Sequence, residues 1–142
     1  MAKKEIKKIS PEEYSEVLKG IQLINISLLR LNSVIERKNF VDKMTIDVKV
    51  EMSYDKVPGG FYSTSVYKIV AMNKNGDCAL EFEITYRIDF SSEKEITDSF
   101  FEVYKNVSLP LNTWPFVREL VNSTTARMNI PPLTLPLFKV GK

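Results

Sequence analysis

The sequence of 142 residues contains no histidine. Histidine supplies the base of the Ser-His-Asp and Cys-His catalytic groups, and it is the commonest ligand of protein zinc sites. Its absence excludes all of these sites. Carboxylates, lysine and tyrosine remain available for catalysis, but the absence of histidine favours a binding protein over an enzyme. We therefore expect a binding protein that has no catalytic residues and holds no metal ion or other cofactor.

Cysteine and long apolar runs are scarce as well. Cys78 is the only cysteine, which excludes an intramolecular disulfide and fits a reducing cytoplasm. No apolar stretch approaches the ~20 residues of a membrane span, and the lysine-rich residues 1–9 are not followed by the apolar core of a secretory signal. We expect a soluble cytoplasmic protein that does not insert into membranes, with 1–9 as a frayed end.

Two further ligand classes lack their sequence signals. No glycine-rich phosphate loop follows a predicted strand, so nucleotide binding has no support. Basic and aromatic residues do not alternate along one strand, as a nucleic-acid platform requires. We expect no nucleic-acid partner.

Hydrophobic patterning predicts a single domain over residues 1–142 with an α+β fold: a four-stranded antiparallel sheet followed by two helices, with a short extra helix at the N-terminus. Ser10 and Glu13 form a capping box for that first helix, which should stop at Gly20. Strict alternation at 44–54 and 78–90 predicts two strands with one wet face, and 61–73 joins them as a meander.

The first strand, 21–34, has apolar residues pointing both ways. This pattern predicts a β-bulge or a strand covered on both faces. After the sheet, a capping box at Ser92 predicts a helix over 92–107, and Asn112 should cap the last helix with Pro115 in its first turn. The expected buried face of the last helix is Val117, Leu120, Val121, Thr124 and Met128.

Three carboxylates, Glu81, Glu83 and Asp89, stand on one face of the predicted 78–90 strand at even spacings. Such a row resembles a metal or acid–base site. Carboxylates on a solvated sheet face are the usual case, however, and Arg87 and Lys49 can screen them. Cys78 should pack in the sheet as a small apolar group.

Apolar side chains exceed what one sheet and two helices can bury. The first strand and the 61–73 strand carry them on both faces, the 92–107 segment is rich in aromatics, and an extended apolar strap covers 133–137. Such a surplus is typical of self-association or of a groove that binds other chains, and the two are compatible.

The C-terminal third contains Trp-Pro-Phe-Val-Arg-Glu at 114–119, followed by a short helix and by Ile-Pro-Pro-Leu-Thr-Leu at 130–135. This combination resembles the SecB family of export chaperones. The order of strands and helices over 21–138 also agrees with SecB, although the specific motif occupies only 114–135.

This resemblance implies an ATP-independent holdase of the cytoplasm, a homotetramer built as a dimer of dimers, which binds unfolded polypeptide clients. In the export branch the clients pass to the SecA motor. The first strand lacks the Lys-Asp-x-Ser-Phe-Glu pattern of that branch, whereas the short first helix and the strap look more like the SecB-like chaperones that protect an antitoxin. A carrier of a small apolar ligand is the alternative of another class.

The resemblance also implies where the sites lie. The client-binding groove would involve Phe40, Val41, Met44, Trp114, Phe116, Val117, Met128, Leu133 and Leu135. The oligomer interface would involve Ile96, Phe100, Phe101 and Tyr104. The surface facing SecA would be acidic, with Glu81, Glu83 and Asp89.

Overall fold

The computed structural model describes residues 8–131, 133 and 135–136. Helices α1–α3 and strands β1–β4 follow one another as α1 (Pro11–Lys19), β1 (Ile21–Ile35), β2 (Thr45–Val57), β3 (Gly60–Met72), β4 (Cys78–Ser92), α2 (Asp98–Tyr104) and α3 (Ser108–Arg127), with a short 3-10 turn at Arg37–Asn39 before β2. The strands form one antiparallel sheet in the order β1-β4-β3-β2. The predicted α+β fold is confirmed.

Two tight turns connect β2, β3 and β4 into the predicted meander. Gly59 turns the chain between β2 and β3 with a φ of 79°, a conformation that suits glycine. At Gly60 a Cβ atom would lie 2.0 Å from the Phe90 carbonyl oxygen, so no larger residue fits there. Pairing of β2 with β3 then runs from Thr45 to Val57 without a register shift.

Strand β1 closes the sheet against β4 and contains the predicted bulges. Its register shifts between Leu23 and Asn25 and again between Leu28 and Arg30, which leaves Ile24 and Leu29 without a partner opposite. Both of these side chains are mostly exposed. The alternative prediction, a strand covered on both faces, is wrong for the described protomer.

The core lies between one face of the sheet and the helices, and it is strongly aromatic. Phe61 of β3 stacks on Phe90 of β4 at 4.7 Å between ring centroids, and Tyr104 meets both rings edge-on. Helix α1 joins this cluster through Tyr14, whose ring stacks on Phe100 at 4.9 Å. A helix as short as α1 is unstable alone, so this contact holds it in place.

The starts of both C-terminal helices differ from the prediction. Strand β4 continues through Ser92, whose hydroxyl donates to the Lys94 carbonyl. Helix α2 begins at Asp98, and its N-cap is Thr97, whose hydroxyl accepts a hydrogen bond from the Phe100 amide at 3.2 Å. Helix α3 begins a turn before Asn112, so Pro115 lies inside it. Cys78 is half-buried at the start of β4.

The predicted buried face of α3 is partly confirmed. Val117 and Val121 are buried, whereas Leu120, Thr124 and Met128 are only partly covered. The other buried residues of this helix are Leu109, Pro110, Thr113, Trp114 and Thr125. None of the helices in the described part of the chain is long and apolar enough to cross a membrane.

Candidate functional site

A groove of about 720 Å³ opens between the inner face of β2 and the segment that connects α2 to α3. Alternate residues of β2 form one wall, the start of α3 forms the other, and the strap that follows α3 closes one end. The lining residues are Val48, Val50, Glu51, Met52, Tyr67, Lys105, Asn106, Pro110, Trp114 and Pro136.

The groove exists because the helices cover only part of the edge strand β2. Tyr54 of β2 packs on Phe101 of α2 at 4.5 Å between ring centroids, whereas α3 packs over β4 and β3. Val50 therefore has 45% of its surface exposed, although it is paired with Tyr67 of β3, which is 1% exposed. An inner-face side chain that stays half exposed can bury further apolar surface when another chain lies on it.

Aromatic rings form the floor, and their polar atoms are bonded within the protomer. The rings of Tyr67 and Trp114 lie 5.9 Å apart. The Tyr67 hydroxyl is hydrogen-bonded to that of Thr113, and burial raises the pKa of Tyr67, so its side chain stays neutral. Trp114 donates its indole N–H to the Pro136 carbonyl at 2.7 Å. These groups thus present mainly ring surface to the groove.

The described residues of the strap, which are Leu133, Leu135 and Pro136, are held along α3 by side-chain bonds to their backbone. Arg118 Nε donates to the Leu135 carbonyl at 2.9 Å, and the Leu133 amide donates to Thr125 Oγ1 at 2.9 Å. Together with the Trp114 bond, these contacts place Pro136 at the groove.

Two charged residues stand at the rim, and one of them is paired. Lys105 Nζ lies 2.8 Å from Glu102 Oε1. Glu51 forms no ion pair with any described residue. The rim therefore offers a carboxylate that can accept a cationic partner.

Of the nine predicted groove residues, the structure places only Trp114 in the lining. Val117 and Leu135 are fully buried core residues behind it. Phe116 is half exposed on the opposite flank of α3, where its ring meets that of Tyr86 at 6.3 Å.

The other predicted groove residues gather at the far end of α3. Arg37 hydrogen-bonds the Met128 carbonyl there, which ties the 3-10 turn to the helix. Phe40, Met44 and Leu133 pack partly buried against the core, while Val41 is exposed. The structure does not bring these residues into the β2 groove.

The predicted interface residues are Ile96, Phe100, Phe101 and Tyr104, and all of them are buried inside the protomer. Phe100 has no exposed surface and stacks between Tyr14 and Tyr104. Their side chains are used for the protomer's own core, so they do not form a surface that a second copy can touch. Assembly itself stays a prediction.

Apolar exposure is concentrated instead along β1, the other edge strand. The exposed large apolar residues of this strand are Leu23, Ile24, Leu28, Leu29, Leu31 and Val34. This predicted surplus of apolar surface is therefore found on β1, whereas β3 has one buried and one half-buried face.

The acidic face is less negative than its sequence suggests. Arg30 Nη1 lies 3.7 Å from Glu83 Oε1, and Arg87 Nε donates to Asp89 Oδ1 at 3.0 Å. Glu81 lines a shallow depression of about 310 Å³ together with Lys49 and other charged residues. Among the described residues, no group of three or more Asp, Glu or Cys side chains is placed to hold a metal ion.

No protein-family model and no curated protein matches the sequence. Among solved structures, the chain is similar to a SecB-like chaperone of Mycobacterium tuberculosis, solved in complex with a ChAD peptide from the HigA1 antitoxin. The TM-score is 0.75 at 21% identity, over 88% of this chain and 95% of that one. The chain therefore has the SecB-like fold.

A protein of unknown function from Streptococcus agalactiae is also similar, with a TM-score of 0.46 at 12% identity over 82% of this chain and 97% of that one. That likeness is too weak to support an argument.

Proposed function

We propose that this protein is an ATP-independent chaperone that holds extended apolar segments of unfolded or aggregation-prone polypeptides in the β2 groove. The half exposure of Val50 on an inner sheet face is the observation that carries the proposal. An extended client places every second side chain on one side, which matches a wall made of alternate residues of β2. The shared fold with a SecB-like chaperone supports the same reading.

The energetics favour weak binding at a single groove. Fixing the backbone of a client costs about 1–2 kcal/mol per residue, and burying a Leu or Phe side chain returns roughly 1.5–3 kcal/mol. With alternate residues buried, the two contributions nearly cancel. Useful affinity then needs several grooves on one client, which an assembly provides through high effective concentration.

Self-association of the protomers, as a homotetramer made of two dimers, is therefore part of the proposal. The exposed apolar side chains of β1 support this strand as the contact surface, because edge strands with such side chains readily pair with other chains. We propose β1 as the oligomer interface in place of Ile96, Phe100, Phe101 and Tyr104, because those four residues are buried inside the protomer.

Two classes of client fit the proposal: a dedicated antitoxin, and proteins destined for export. The M. tuberculosis protein was solved with an antitoxin peptide, which favours a dedicated antitoxin client here. For an export role with SecA, the docking surface would carry Glu81, Glu83 and Asp89, two of which are paired with arginines. We assign the protein to the cytoplasm, and we propose no catalytic step.

A small apolar ligand is the second candidate, since about 720 Å³ lies in the range of about 300–1,000 Å³ that small-molecule sites have. A tightly copurifying small molecule, together with no binding of peptides, would favour it.

Light scattering of an aggregating client without ATP tests the chaperone proposal. The wild-type chain at stoichiometric tetramer should suppress aggregation, and Val50→Asp should not, because a charge would be buried under the client. Val57→Asp is the matched control, since Val57 is also an exposed valine of β2 and lies outside the groove. Equal suppression by both variants, or none by the wild type, would refute the proposal.

A further inference from the structure

The strap leads the polypeptide chain directly to the groove. Pro136 is a lining residue, and its carbonyl accepts the Trp114 indole N–H at 2.7 Å. One residue earlier, Arg118 Nε fixes the Leu135 carbonyl at 2.9 Å. The chain that continues after Pro136 therefore starts at the groove itself.

The residues that follow are outside the described part, but their sequence is suited to this surface. Leu-Phe-Lys-Val at 137–140, here called the tail segment, has three apolar side chains among its four residues. Four extended residues span about 13–14 Å. The groove wall from Val48 to Met52 covers four residue steps along β2, and its length is therefore also about 13–14 Å.

Charge complementarity adds a second argument. Lys139 is the only charged residue of the tail segment, and Glu51 at the rim has no ion-pair partner among the described residues. The neighbouring rim cation, Lys105, is already paired with Glu102. The open charge at the rim is therefore negative, opposite to that of the tail segment.

We propose that the tail segment occupies the β2 groove when no client is bound, so that a client must displace it. This inference rests on the proposed function of the same groove. A tethered segment acts at an effective concentration in the millimolar range, so even weak contacts lower the share of protein with a free groove. The apparent client affinity equals the intrinsic affinity multiplied by the share of protein whose groove is free, so it falls as that share falls.

A direct test needs no client. Trp114 is the only tryptophan and lines the groove, so its fluorescence reports on occupancy. A synthetic peptide of residues 137–142 should bind saturably to the chain truncated after Pro136 and several-fold more weakly to the full chain. Absence of saturable binding to the folded truncated chain would overturn the proposal.

A second variant keeps the full chain in case truncation affects folding. Phe138→Ser combined with Val140→Ser removes two apolar side chains of the tail segment. In both altered chains, a client peptide should bind about 3–10-fold more tightly than in the wild type, because more grooves are free. Unchanged or weaker client binding would overturn the tail proposal.

The two proposals fail in different ways. If client peptides bind equally to all chains and the tail peptide does not bind, the chaperone proposal stands and the tail proposal is overturned. If the tail peptide binds the truncated chain but no client binds any form, the groove takes its own segment and the chaperone proposal is refuted.

Discussion

The exposure of Val50 on the inner face of the sheet is the feature that identifies the candidate groove. Val50 belongs to a strand with strict alternation and faces the same side as the core, so the pattern assigns it to the interior. Its partner Tyr67 is indeed buried. Val50 is half exposed because the described helices cover β2 only in part and leave this position open. Its exposure is the feature on which the proposed binding site rests.

Tyr104 predicts how stability responds to high pH. Burial raises its pKa to about 12, with a further contribution from Tyr14. In the unfolded chain a tyrosine ionises near pH 10. The unfolded state therefore loses its proton first, and the stabilisation is complete below pH 10 and is lost as pH rises to about 12.

Urea unfolding at pH 9 to 12 measures this effect. The midpoint should fall across that range, and it should fall less steeply in Tyr104→Phe, which cannot ionise. An identical pH dependence in the two chains would contradict the assignment.

Residue-level sequence reasoning found Trp114 but missed Val48, Val50, Met52 and Tyr67 of the groove. Alternation shows which face a residue is on, but it does not show which strand lies at the sheet edge. That depends on β1 returning to pair with β4, a contact between distant parts of the chain. The predicted groove residues at the far end of α3 lie apart from the β2 groove, and their role in client binding stays a prediction.

At the scale of elements, the strands and α1 were predictable because each has a strong local signal. Alternation placed the strands of the meander, and the Ser10 cap starts α1 as expected, with its Oγ accepting the Glu13 amide at 3.2 Å. The starts of α2 and α3 were not predictable in this way. A capping box at Ser92 is a local signal that pairing of β4 with β1 and β3 overrides.

Phe100 gives a prediction for α2. This helix serves the protomer core rather than an exposed interface, so Phe100→Ala should lower the free energy of unfolding by about 3–5 kcal/mol. The partly buried Val103 of the same helix is the control, and Val103→Ala should cost about 1 kcal/mol. Urea denaturation measures both. A stable Phe100→Ala chain of reduced oligomeric mass would show instead that α2 forms an interface.

At the scale of the whole molecule, the sheet has two edges with different properties. Strand β2 is regular and borders the groove. Strand β1 is interrupted by two bulges and exposes six large apolar side chains along its length. We propose that β2 binds clients and that β1 forms the contact between protomers.

Assembly through β1 predicts the effect of charged substitutions on mass. Ile24→Lys combined with Leu29→Lys should reduce the mass measured by sedimentation, because both exposed bulge residues would place a cation in the contact. Leu111→Lys on α3 is the control and should leave the mass unchanged, since Leu111 is exposed and lies on α3 rather than on β1. The same mass for all three chains would contradict assembly through β1.

The central claim is that the β2 groove binds extended apolar peptide, and Trp114 fluorescence during a peptide titration without nucleotide tests it most directly. The account predicts a saturable change for the wild type and for Val57→Asp, and an affinity about tenfold or more weaker for Val50→Asp, because its carboxylate would lose water on binding. No saturable change in the wild type, or equal affinity in Val50→Asp, would contradict it.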